Sequence, residues 1–567
     1  MGVSARVSAA LDVRCERLGP LPLVNHFLDR LGVEALFERF VPRPRVRRTL
    51  DPARALGVLL RSIIVEREPI YRQQETVRRF APGAFGLQLD EVRRLSDDAV
   101  GRALDRLFDA DRGTMLTELV VAVRKRFGVG FRELHNDSTS IKLTGQYVRA
   151  RGRSMRGRRA PWITYGHSKD HRPDLKQLLF ILTTSADGGI PVQFRSGDGN
   201  LNDAKTHIET WDALSAVVGG PDFLYVADSK LCTRENMDHI DRRRGRFVTV
   251  IPRSRLEDGE FREWIQTHEP PWEAVWNRPN PRRKGGPRDL WRAFKYHLPS
   301  REAWPVIWVS SSLLALAQDR SRRERLARAD QELDKLKKKL DGPRPRTRPR
   351  VLQNVEKILG KLRVERYLKV EVKETYEEKF KQERPGRSGP DTRYRRIRRR
   401  RLKMTWQVDE AKIAYDRKSD GMYPLLTNDR ALTPAQVLEA HKRQPTIERR
   451  FEQTKTVHEI APVLLKNEGR IEALFFLYFI ALMAQALIER DLRRAMKREN
   501  IEELPLYPEE RRSRRPTSEQ VLRLFSLAER HVILHRGEAV KTCEPELTDL
   551  QRLVLRLLAV PTAAYHT

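Results

Sequence analysis

Two aspartates break the pattern of the segments that carry them. Asp137 lies inside HNDSTSI, a run of strand character, and Asp228 closes the apolar run FLYVA. Aspartate is depleted in strands, and an acidic side chain at the carboxyl end of a buried strand is where an α/β sheet places its chemistry. Either residue alone also reads as a cap or turn former, but two such breaks in one sheet are harder to explain that way. Two buried carboxylates need a cation, because like charges at close range do not both stay ionised without one. Mg²⁺ or Mn²⁺ takes carboxylate oxygens, and a pair of such ions can clamp the attacking and leaving oxygens of a phosphodiester displacement. A third carboxylate on a later helix would complete the set, and Glu448 in IERRFEQTK is the candidate. At helical spacing Glu448, Phe451 and Lys455 share one face. The competing reading of that helix is a solvated surface with an internal ion pair between Glu448 and Lys455.

The elements that must position these residues follow from hydrophobic pattern and turn chemistry. Residues 1–127 read as helical: Asp51 or Pro52 starts a helix through Leu56, Leu59, Leu60 and Ile63, and Ser96 caps SDDAVGRALDRLFDA. Short helices in a basic region suit either a helix-turn-helix reader of DNA or a plain helical bundle. Residues 128–255 change texture, with strand-like runs ELHNDSTSIKL, QLLFILTTSA, IPVQFRS, FLYVADS and RFVTVIP. NDAKTHIETWDALSAVVG between them has helical spacing, with Asn202 or Asp203 as cap. The order is three strands, a helix, a buried strand, a short helix and a further strand. It predicts an α/β fold, a mixed sheet with packed helices in the order of an RNase H-like core.

Residues 256–410 form a large insertion before the Glu448 helix. Leu326, Ala329, Leu333, Leu336 and Leu340 make an a/d seam, and Val351, Val355, Ile358, Leu359 and Leu362 a second stripe, predicting a helical hairpin with the basic tip GPRPRTRPR. Strand character at Tyr367 to Lys373 and Met404 to Val408 brackets RYRRIRRRRLK, in which eight of eleven residues are basic. Such a run is a solvated face, a loose loop or a phosphate contact, and the insertion is expected to hold the helical hairpin and a basic strand segment. Residues 411–465 resume the core: KIAYDRKSDGMYPLLTND reads as a hairpin, and Thr433 and Pro434 open the helix that leads to Glu448. Residues 466–567 read as an all-helical C-terminal region, matching the all-helical N-terminal one.

Lys and Arg number 110 against 77 Asp and Glu, a formal charge of +33. Such an excess repels itself unless a polyanion is the usual partner, and nucleic acid is the first candidate. A membrane partner is not expected, because the one long apolar run, Ala473 to Ile488, holds sixteen residues and about twenty are needed to span a bilayer. The N-terminal stretch lacks the apolar segment of a signal peptide, and Cys15, Cys232 and Cys543 form no CxxC pair. A reducing cytoplasm is the expected compartment, with any metal held by oxygen or nitrogen ligands.

HNDSTSI, YVADSKL and IERRFEQTK, in this order, resemble the three motifs of the DDE transposases of bacterial insertion sequences, in the branch whose third motif is a Tyr-Arg-Glu-Lys signature helix. The likeness continues through KTVHEIAPVLLKNEGRIEALFFLYFIALMAQALIERDLRRAM and runs from about Leu95 to Met496. It implies that Asp137, Asp228 and Glu448 are a metal-binding catalytic triad for Mg²⁺ or Mn²⁺, held as two ions, and that Lys455 contacts DNA near the scissile phosphate. His441 stands where tyrosine is usual and Gln444 where arginine is usual, and with Arg443 and Lys230 they make up the expected DNA contacts. Pro445 denies the helix an N–H, so the helix is expected to kink or restart there. The implied activity is cleavage at the terminal inverted repeats of an element and strand transfer into target DNA, by a homodimer assembled on double-stranded DNA at the bacterial nucleoid. The alternatives are a non-catalytic DNA-binding descendant of such an enzyme and a metal-dependent nuclease without strand transfer.

Overall fold

The computed structural model describes residues 11–43, 49–148, 150–155, 157–280, 285–340, 347–458, 460, 465–507, 509–536 and 538–566. The chain divides into two units: unit 1 is Met1–Thr249 with Glu439–Thr567, and unit 2 is Val250–Leu438. The helical N-terminal part, the first core strands and the C-terminal part therefore belong to one unit.

Unit 1 is mixed α/β. Its main strands run in the order Pro191–Gly197, Lys176–Ser185, Glu133–Leu143, Leu224–Val226, Arg246–Val250. The first three are antiparallel neighbours, and the last two run parallel to Glu133–Leu143. The tight turn between Lys176–Ser185 and Pro191–Gly197 uses Gly188 and Gly189 at φ 86° and 64°. A Cβ on Gly189 would stand 2.4 Å from Thr446 Cγ2, so the turn needs glycine both for its backbone and for the approach of the segment before Glu448.

The helix Glu468–Arg498 packs on this sheet, with Phe475 against Phe180 and Phe479 against Phe194. Burying each such side chain contributes about 1.5–3 kcal/mol. Helices Pro52–Val65, capped by Asp51, and Asp97–Asp109, capped by Ser96, pack on the same helix. At 31 residues it is long and apolar enough to cross a membrane by length and composition, and its most apolar window is 89% buried in the structure. The terminal regions are not all helical. Leu11–Arg17 pairs antiparallel with Glu529–His535, which pairs with Glu538–Cys543, giving a three-stranded sheet from both ends of the chain. These strands are short and rich in charge, so their alternation does not stand out from a surface loop.

Unit 2 holds four antiparallel strands in the order Met422–Thr427, Val306–Ser311, Asp289–Lys295, Glu273–Arg278. Phe261 stacks on Trp308 with ring centroids 3.5 Å apart, and Tyr296 meets Phe261 edge-on. Helices Ser312–Lys338 and Arg348–Leu362 form the expected pair, joined through Ala329, Leu333, Val351, Val355 and Leu359. The basic turn at 341–346 lies outside the described residues. From Tyr394 on, RYRRIRRRRLK lies in the strand Tyr394–Val408, paired along its whole length with Leu368–Gln382, so of the readings open for it the loose loop is the one that falls. The segment after 409 is not a hairpin but the helix Glu410–Arg417, capped by Asp409, followed by a turn at Gly421 (φ 75°) into Met422–Thr427.

Candidate active site

Asp137 and Asp228 come together in unit 1. His135 pairs with Val226 where Glu133–Leu143 and Leu224–Val226 run parallel. Asp137 is two residues past His135 and Asp228 two past Val226, so their side chains leave adjacent segments at the same level. Asp137 Oδ1 accepts from the Ser138 amide at 2.7 Å, and Asp228 Oδ1 from the Lys230 amide at 2.9 Å. Thr249 Oγ donates to the Asp228 carbonyl at 2.7 Å and fixes the backbone there. Burial pushes the Asp137 carboxyl up to about 6 against the pull of Lys169, and the neighbouring Asp228 charge adds to the rise. Asp228 is raised as well, first by burial and then by the charge of Asp203.

Two residues that pattern reading passed over complete this cluster. The Lys169 ammonium donates to the Ser138 carbonyl at 2.5 Å and to Ser138 Oγ at 3.1 Å, and lies 3.4 Å from Asp137 and 3.3 Å from Asp203. Burial works against that ammonium, but Asp137 and Asp203 outweigh it and raise its pKa. Asp203 accepts from Ser138 Oγ at 2.8 Å. Of the two candidate caps of the following helical segment, Asn202 takes the role by accepting from the Ala204 amide, which leaves the Asp203 carboxylate for Ser138 and Lys169. Competition between neighbouring Asn and Asp for one cap was the only sign in the sequence that one of them had another use.

Glu448 is placed differently. The helix is interrupted at Gln444 and restarts at Pro445, so that Pro445–Glu452 packs against Glu133–Leu143. Its seating is well determined. The buried Arg450 donates to the Gly188 and Gly189 carbonyls at 3.1 and 3.0 Å and pairs with Glu489 at 3.1 Å. Gln485, the one amide in the apolar stretch of the long helix, accepts from Gln453 at 2.7 Å and from His458 Nε2 at 2.6 Å. An amide oxygen only accepts, so the proton of His458 sits on Nε2. From this platform Glu448 is exposed, with no ion pair or side-chain hydrogen bond among the described residues. Among those residues, Asp137, Asp228 and Glu448 do not bring three ligand oxygens within 4.8 Å of one another.

The expected DNA contacts also divide. Lys455 is not the partner of Glu448: it pairs with Asp170 at 2.8 Å, and Lys142 reaches the same carboxylate at 3.4 Å. It sits in a π-helical turn, Gln453–Val457, which takes its side chain out of phase with Glu448. Lys230 is exposed beside Asp228. Arg443 is exposed and ion-paired with Glu133 at 3.0 Å, a carboxylate that also accepts from His135 Nε2 at 2.8 Å. Gln444 is buried. Burial pushes the His441 imidazole down to about 3, with Lys442 and His135 adding to the effect, so it is neutral. His441 and Gln444 are thus built into the protein rather than presented to a ligand.

No family model and no curated protein matches the chain. Among solved structures, it is similar to a piggyBac transposase in a synaptic complex with hairpin DNA, at a TM-score of 0.34 and 9% identity, over 82% of this chain and 73% of that one. Similarity at that level does not assign a fold.

Proposed function

We propose that the chain is a metal-dependent DNA-cleaving and strand-transferring enzyme of the DDE transposase type. The observation that carries this is the pair Asp137 and Asp228, at one level on adjacent parallel segments, each holding its proton more tightly than a free carboxyl. The strand order, three antiparallel followed by two parallel, supports an RNase H-like core. The donor set is all oxygen, which suits Mg²⁺ or Mn²⁺. Asp137 and Asp228 would hold the ions, with Glu448 joining from its helix. A bound divalent ion would supply positive charge at the scissile phosphate and lower the pKa of a coordinated water.

The chain's own residues would do the rest. Lys169, bridging Asp137 and Asp203, balances the carboxylates that would hold the ions. Ser138 and Asp203 keep that ammonium on the sheet side. Lys230 and Lys455, at the margins of the cluster, would meet phosphates, and two copies of the chain on double-stranded DNA would bring two ends together.

The test is nicking of a supercoiled plasmid in Mg²⁺ or Mn²⁺, followed by joining of a duplex that carries a free 3′-hydroxyl. Asp137→Asn and Asp228→Asn are expected to lose both reactions with DNA affinity kept. Glu448→Gln should lose them too, and Asp203→Asn should retain the greater part. Nicking without joining reduces the assignment to a nuclease, and nicking by Asp137→Asn at the wild-type rate overturns it.

A further inference from the structure

The strands Leu368–Gln382 and Tyr394–Val408 form an antiparallel ribbon paired from Leu368 with Val408 to Gln382 with Tyr394. Its inner end is anchored: Leu368, Val372 and Met404 join the buried cluster of the helical pair. Its outer part is not. From Glu374 to Gln382 and from Tyr394 to Leu402 no residue is buried on either face. At about 3.4 Å per residue that outer part is about 30 Å long.

Cross-strand partners share a face, so the register sorts the side chains. One face carries Tyr376, Phe380 and Tyr394, which are 51%, 65% and 48% exposed, among Arg396, Arg398 and Arg400, with Glu378 paired to Arg396 and Glu374 to Arg400 at 3.7 Å, pairs that a phosphate or base edge must replace. Arg398 lies over the Tyr376 ring at 4.0 Å. The other face carries Lys379, Lys381, Arg395, Arg399 and Arg401 around one carboxylate, Glu377, which pairs with Lys379 at 3.4 Å and Arg401 at 3.0 Å. Lys381 stands directly opposite Arg395, a like-charge pair that weakens a hairpin. Among the described residues the side chains of Lys381, Arg395 and Arg399 have no carboxylate partner. From 374 to 402 the net charge is +6. A ribbon that leaves aromatic rings in water and opposes its own cations is incomplete without a polyanion that also offers apolar contact.

We propose that this outer ribbon inserts into the major groove of double-stranded DNA. The groove is about 12 Å wide and admits a two-stranded ribbon, and base edges there accept from arginine and offer the thymine methyl group to an aromatic ring. The face with Tyr376, Phe380, Tyr394 and the alternate arginines meets the base edges, and Lys381, Arg395 and Arg399 reach the flanking phosphates. This rests on the protein acting on double-stranded DNA, but not on the Asp137 site.

Binding of the full chain to a labelled mixed-sequence duplex, followed by fluorescence anisotropy over a salt series, tests it. Each phosphate contact contributes about 0.9 to the slope of log K against log salt. The triple variant Lys381→Ser, Arg395→Ser, Arg399→Ser should therefore lower that slope by about 2–3, and it removes no buried contact. Phe380→Ser with Tyr394→Ser should weaken binding several-fold with the slope unchanged. On duplex RNA, whose deep, narrow major groove side chains cannot enter, the aromatic variant should lose nothing. Wild-type slope and affinity in both variants would overturn the ribbon assignment while plasmid nicking stands. Equal loss on RNA would overturn groove insertion, and a wild type that neither binds nor nicks duplex DNA would remove the functional proposal beneath it.

Discussion

Like charges are crowded in two places in this molecule, and the surroundings make the outcomes opposite. Around Asp137, three carboxylates gather in a half-buried place on the sheet. There, burial makes the charge costly enough to move Asp137 to about 6 and to draw in Lys169. Along the outer ribbon, cations gather in water, which screens them, so the crowding costs the fold little. The same imbalance therefore shifts proton affinity where it is buried and leaves cations open to an outside anion where it is exposed.

The sharpest way to separate the two regions is to remove one charge from each. Asp137→Asn should reduce metal-dependent nicking by about 10³-fold or more, with Asp228→Asn alike and the double variant no worse, because groups acting as one unit are not additive. Plasmid nicking rates measure it, and additive losses would show two independent roles.

Next in size is the seat of the Glu448 helix. Arg450→Met leaves the buried Glu489 with only Arg493 and the Ser518 amide and strips the Gly188 and Gly189 carbonyls of their Arg450 donor, so it should cost about 3–5 kcal/mol in denaturant unfolding. A loss under 1 kcal/mol would place that pair in contact with water.

Acid should act on unit 1 through histidines that the fold keeps neutral. Burial takes His207 and His458 from 6.5 down to about 4. Their folded pKa lies below the unfolded one, so the unfolded chain binds protons first and stability is lost as pH falls from 6.5 towards 4. At pH 5 each costs about 2 kcal/mol. Melting between pH 7 and 5 should show this, and His458→Gln should flatten it. Asp137, held up to about 6, gains stability over the same range and partly offsets the histidines, so the measure is the difference between proteins: equal pH dependence in wild type and His458→Gln would mean that water reaches that ring.

The smallest effect belongs to the ribbon. Lys381→Ser relieves the opposition to Arg395 and should stabilise the outer hairpin by no more than about 0.5 kcal/mol at low salt. Slower amide exchange in 376–382 would register it, and salt should erase the difference from wild type.

What the sequence revealed follows the same division between local and distant causes. Asp137 and Asp228 stood out because each interrupts a strand pattern, and Ser96 and Asp51 because a cap is a local signal. RYRRIRRRRLK was legible only as a basic segment between two strand-like stretches, with a loop left open, because its ladder partner lies about twenty residues away and its composition is that of a loop. Asp420 and Gly421 do turn the chain, but their hairpin-like signal masked the helix before them, whose Asp409 cap and Ile413 were legible. Lys169 lies in a loop with no periodicity to read. Lys455 was misplaced by counting: seven residues of α-helix fall about 20° short of two turns, whereas the π turn at Gln453–Val457 closes hydrogen bonds from i to i+5 and breaks the phase.

Unit 1 is assembled from segments on both sides of unit 2, and that arrangement sets an order of events during synthesis. Asp137 and Asp228 leave the ribosome with strands that can pair at once. Glu448 follows 220 residues after Asp228, a delay of roughly 10–45 s at about 5–20 residues per second. The whole of Val250–Leu438, helical pair and ribbon included, is made and can fold in that interval. The ribbon proposed to engage DNA is thus complete before the helix bearing Glu448 exists, so on that proposal a nascent chain is tethered to a duplex while its proposed catalytic centre is still one ligand short.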